Sequence, residues 1–153
     1  MPRKINFIIM KLFKNLTFSE NDALLKFPVY ITYLAASSDD KLDETERKSA
    51  IKFSHTKTFS CDTILAEFYK ESDKVFEYNI DQLEKKLPND KDLRIVSIKK
   101  ELLKLDNILL KLGDDFATTM HTSMRLFKEH VSKAHHNVLV DFIFPLPMPG
   151  LTE

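Results

Sequence analysis

Apolar residues recur along most of this chain at every third or fourth position, and strand-like alternation is weak throughout. The most regular run holds Ile95, Ile98, Leu102, Leu105, Leu109 and Leu112, whose unbroken three-four spacing predicts a long helix serving as the central rod of a bundle. Gly113 is placed to end that helix in a left-handed conformation, and Asp114 or Asp115 to cap the next one. The following stripe, Phe116, Met120, Met124, Phe127, Val131, Ala134, Val138 and Phe142, predicts a second long helix packed antiparallel on the first.

The preceding residues continue the helical pattern. Ile5, Ile8, Ile9, Leu12, Phe13 and Leu16 share one face among Arg3, Lys4, Lys11 and Lys14, so residues 1–17 read as a basic amphipathic helix. Ser19 is expected to cap the next helix, with Asp22 at its third position, a stripe of Leu24, Phe27, Ile31, Leu34 and Ala35, and a kink at Pro28. Asp43 followed by Glu46 approximates a capping box and opens a helix expected to reach about Phe53. A polar connector containing His55 follows, and then Ser60 as the cap of a helix around Ile64, Leu65 and Phe68.

Phe76, Ile80, Leu83 and Leu87 mark a further helix that stops before Pro88. Its acidic stripe, Asp73, Glu77, Asp81 and Glu84, reads as a solvated face with Asp81 and Lys85 as a supporting pair. Residues 144–153, rich in proline, form an extended tail. The expectation is an all-α, single-domain bundle over residues 1–153, with about six to seven helices.

Composition narrows the chemistry. A chain of 153 residues can bury a core without disulfides, and the single Cys61 offers none, which fits a reducing cytoplasm. With only Gly113 and Gly150, no Walker loop, dinucleotide fingerprint or G-x-S-x-G elbow can be written. A formal net charge of zero argues against nucleic acid as a partner. No apolar run approaches the roughly eighteen residues of a membrane span, and Lys11 interrupts the N-terminal run that a secretory signal would need. Residues 3–16 leave two readings open, closure of the chain's own core and contact with a membrane surface.

The densest chemistry lies in the turn between Ala36 and Arg47, which packs Asp39, Asp40, Asp43, Glu44 and Glu46 together. Asp39, Asp40, Asp43 and Glu46 could offer oxygens to calcium or magnesium, both hard cations. The segment is not an EF-hand loop, because a register begun at Asp39 puts Lys41, Thr45 and Arg47 where ligands or waters belong. The alternative is that Asp43 and Glu46 cap the helix while Asp39 and Asp40 are merely solvated.

An alanine-rich helix end (Ala35, Ala36), then Asp39, the aliphatic Leu42 and Glu46 on the next helix resemble the TerB-like family of tellurite-resistance proteins. The resemblance covers roughly residues 19–70, and Asp40 stands where that family usually has glycine. It implies an all-helical fold, a divalent-cation site in the acidic turn, a link to stress or metal-ion response, and no catalytic activity.

Other chemistry is thin. His130 and His135 are about 140° apart around a helix and cannot chelate as an i, i+4 pair, and no H-E-x-x-H occurs. His121 reads as a half-buried or surface residue, and Cys61, next to the expected cap Ser60, as a structural cysteine. The chain is therefore not read as an enzyme. Two functions stay open: a cation-binding helical domain whose occupancy biases a partner surface, and a metal-independent module that contacts an unknown protein partner through its N-terminal helix or proline-rich tail. Self-association into a homo-oligomer fits either.

Overall fold

The computed structural model describes residues 13–36 and 42–134, and among them every regular element is helical. The basic segment up to residue 12, the C-terminal tail 144–153 and the turn residues Asp39 and Asp40 lie outside the described residues.

Residues 13–17 form a turn rather than the end of a helix, with the Leu16 N–H bonded to the Phe13 carbonyl at 3.1 Å. Phe13 and Leu16 are nevertheless buried, and Phe13 meets the ring of Phe116 edge-on at 5.8 Å. The buried Asn21 amide holds this turn by donating toward the carbonyls of Phe13, Leu16 and Thr17.

Helix α1 (Phe18–Leu25) is capped by Thr17, not Ser19. Thr17 Oγ1 accepts from the Glu20 N–H at 3.1 Å and Glu20 Oε1 accepts from the Thr17 N–H at 2.9 Å, a reciprocal pair that an Asp three residues after Ser19 does not supply. The chain breaks at Lys26 and restarts as α2 (Phe27–Ala35). Pro28 causes the break, because it has no N–H for the Leu24 carbonyl and its ring would strike that carbonyl in a continuous helix.

All nine residues of α2 are buried, and α2 touches every other α-helix. The central rod is therefore this short helix and not the long regular one around Leu102. An apolar residue at nearly every position, where amphipathic helices keep a polar side, accounts for its place.

Helix α3 (Glu44–Ser60) runs straight through the expected connector. Residues 54–60 contain neither glycine nor proline, and tertiary contacts hold them helical despite modest propensity. Ser54 Oγ donates to Asp73 Oδ1 at 3.0 Å, Phe53 stacks on His130 at 4.1 Å, and Lys57 lies over the rings of Phe53 and Tyr69. Ser60 thus ends a helix instead of starting one, and Asp62 caps a single 3-10 turn (Thr63–Leu65) by accepting from the Ile64 N–H. The two helices expected around Leu65 and Phe76 are one, α4 (Ala66–Lys86), which stops ahead of Pro88.

Helix α5 (Lys91–Leu110) starts at its cap Asp90, and Gly113, with φ +97°, turns the chain into α6 (Asp114–Ala134). Asp114 and Asp115 lie in the first turn of α6, where their charge suits the helix dipole, rather than ahead of it. Contact between Asp106 on α5 and His121 on α6 fixes the two as an antiparallel hairpin. Ile98, Leu102, Leu105 and Leu109 face the core from α5, while Met120, Met124, Phe127 and Val131 do so from α6.

Candidate functional site

The acidic turn shows two of its four candidate ligands. Asp43 Oδ1 accepts from the Glu46 N–H at 2.7 Å, and Glu46 Oε1 accepts from the Asp43 N–H at 3.0 Å. This is a complete capping box, and Glu46 is fully buried within it. One oxygen of each carboxylate is therefore committed to backbone donors that α3 would otherwise leave unsatisfied. Among the described residues, no group of three or more His, Cys, Asp or Glu side chains is arranged to hold a metal ion.

The acidic stripe of α4 is not simply solvated. Arg47 of α3 reaches Asp81 at 3.0 Å and Glu77 at 3.5 Å, so Asp81 pairs across helices instead of with Lys85. Asp73 accepts from Ser54 and lies 3.0 Å from His55 Nδ1, while Tyr33 OH lies 2.9 Å from Glu84 Oε1. From Asp73 to Asp81 the stripe is a polar ladder between α3 and α4, with Glu77 and Asp81 still more than half exposed. Exposed ion pairs of this kind contribute little to stability, typically up to about 1 kcal/mol.

A cleft of about 490 Å³ opens between the end of α3 and α6, lined in part by Lys57, Cys61, Thr118, Thr122 and Ser123. Burial pushes the Cys61 thiol up from its ordinary value, which leaves little of the nucleophilic thiolate. Ser123 Oγ is 2.6 Å from Tyr69 OH, and among the described residues no histidine lines the cleft. His121 is not at the surface at all: it is 1% exposed, and its Nε2 faces Asp106 Oδ1 at 2.8 Å. A histidine oriented by a carboxylate supplies two of the three members of a catalytic triad, but this one is closed off from solvent.

The remaining feature lies on the outside of α5. Leu93, Val96, Leu103 and Leu110 are 59%, 62%, 39% and 62% exposed, a second aliphatic stripe on a helix that already buries Ile98, Leu102, Leu105 and Leu109. Val96, Leu103 and Leu110 recur every seven residues, and Leu93 lies one turn before Val96. The line runs roughly 26 Å along the helix. Lys100 and Asn107, both exposed, share it. Sequence reasoning missed this stripe because the stronger inner pattern claims the same segment, although the seven-residue recurrence was there to be read. Phe59 and Tyr78, also well exposed, stand on other helices without such recurrence.

The chain matches no family model, no curated protein and no solved structure. Among the described residues no helix is long and apolar enough to cross a membrane.

Proposed function

We propose that this chain is a non-catalytic helical interaction module that receives another helix on the outer face of α5. The observation that supports this reading is the exposed stripe Leu93, Val96, Leu103 and Leu110 opposite the core-facing stripe of the same helix. A helix apolar on two sides is built to sit between two layers, and among the described residues α5 has a layer on one side only. Isolated surface aliphatic residues need no explanation, but four in a coiled-coil line do. The buried His121 and the Cys61 thiol held protonated favour a binding role over a catalytic one. The cation reading would need Asp39 and Asp40 to bring oxygens beyond those that Asp43 and Glu46 give to the helix cap.

The test is binding of a stapled, monomeric helix with leucine at its a and d positions and glutamine at its flanks, measured by fluorescence anisotropy against the full chain. Binding that is lost in Leu103→Glu and Leu110→Glu, both folded by circular dichroism, is the expected result. No binding to the intact chain, either by this helix or by the same helix with a glutamate opposite Lys100, ends this reading.

A further inference from the structure

Resting on that docking reading, we infer that the helix received by α5 carries a carboxylate at the position that faces Lys100, between aliphatic residues that meet Val96 and Leu103. Taken as heptads, the outer line has Leu93, Lys100 and Asn107 at a positions and Val96, Leu103 and Leu110 at d positions. A polar residue at an a position selects register and partner, because a docked helix removes it from water.

Lys100 is the residue that decides the partner's chemistry. On the same side of the molecule Lys104 pairs with Glu101 at 3.3 Å and Lys111 pairs with Glu20, whereas Lys100 is exposed and makes no ion pair with any described residue. A helix laid along the line would desolvate this ammonium between Val96 and Leu103, and an unpaired buried charge is strongly unfavourable. A carboxylate opposite it satisfies the charge. A neutral aliphatic helix leaves it unpaired, and a basic one adds repulsion.

The same residue argues against a second copy of this chain as the occupant. In a parallel pair the two Lys100 side chains would share one layer. In the antiparallel register that sets Leu93 against Leu110, each Lys100 faces Leu103, so both ammonium groups crowd the two-fold axis without an acidic partner in the seam.

Three stapled peptides decide the matter, identical except for Glu, Leu or Lys at the position opposite Lys100, each titrated against the full-length chain and against Lys100→Glu. Lys100 is exposed, so that variant should keep its fold. The expected result is that the Glu peptide binds the unaltered chain about tenfold more tightly than the Lys peptide, and that Lys100→Glu reverses the order. Equal binding of all three peptides, or an order unchanged in Lys100→Glu, overturns the carboxylate assignment while leaving the docking face standing. Absence of binding by every peptide, the glutamine-flanked one included, overturns the docking reading itself. Sedimentation equilibrium supplies the last arm: a dimer lost in Leu103→Glu would make a second copy the occupant and overturn the inference.

Discussion

His121 Nε2 lies 2.8 Å from Asp106 Oδ1 across the α5–α6 hairpin, with the two side chains 1% and 6% exposed. A carboxylate this deep depends on its partner, and its other oxygen, Oδ2, has no hydrogen bond to any described residue. His121→Phe should therefore cost about 1–3 kcal/mol, since it leaves Asp106 buried without that bond. Adding Asp106→Leu should recover part of the loss, because an apolar pair of similar volume asks for no hydrogen bond. Urea denaturation of both single variants and the double variant gives the coupling. Simple additivity would show that the pair stabilises nothing beyond its packing.

Leu109 and Leu110 are neighbours in sequence and opposites in environment, 1% and 62% exposed. Leu109→Ala should cost about 2–5 kcal/mol through lost transfer energy and a residual cavity. Leu110→Ala should stay within about 0.5 kcal/mol, as surface changes do. Denaturation midpoints at a shared m-value would check both. A large loss for Leu110→Ala would place the outer stripe under another part of the chain.

The all-helical class was legible because periodicity is a property of local sequence, and Gly113 and Pro88 mark boundaries by conformation alone. The N-cap of α3 was legible for the same reason, Asp43 and Glu46 being only three residues apart. Helix continuity was not. Residues 54–60 read as a connector on propensity, and contacts from Asp73 and Tyr69, on another helix, keep them helical. The identity of the central helix was hidden too, since a long regular stripe looks like a core, while the fully buried α2 is short and contains a proline. Asp106 and His121 showed no local motif, and their pairing becomes visible only once the hairpin at Gly113 sets residues on either side of it face to face. The outer stripe of α5 could have been found by asking whether a helix has one apolar face or two.

Three buried tyrosines should make the fold lose stability at alkaline pH. Burial first, and then the charges of Glu101 and Asp22, push Tyr30 up to about 12 from an ordinary value of 10.0. Burial likewise drives Tyr33 and Tyr69 well upward. A phenol whose folded value is raised resists ionisation in the native state, so its contribution is complete below the unfolded value and fades as pH climbs toward the folded one. Stability should thus hold up to about pH 10 and decline from there toward pH 12 on account of Tyr30, with Tyr33 and Tyr69 acting in the same direction. Denaturant midpoints at pH 8, 10 and 11 should show the decline, and tyrosinate absorbance at pH 10 should rise sharply on unfolding. A native chain that already shows the unfolded absorbance at pH 10 would contradict the burial of these rings.

The capping box predicts how the acidic turn responds to substitution and to cations. Asp43→Ala removes the acceptor for the Glu46 N–H and should cost about 1 kcal/mol, whereas Asp43→Asn keeps a capping oxygen and should cost much less. Glu46→Gln retains the return bond in the same way, since either side chain completes such a box. Amide replacement, however, lowers the negative charge that calcium or magnesium would need. The two roles therefore separate: with the carboxylates serving as caps, millimolar calcium leaves the Tm unchanged and Asp39→Asn combined with Glu46→Gln alters stability only slightly. A ligand that binds the folded chain alone must raise the Tm with its concentration. A calcium-dependent rise that this double substitution removes would assign the turn to cation binding and make its capping geometry the scaffold of that site.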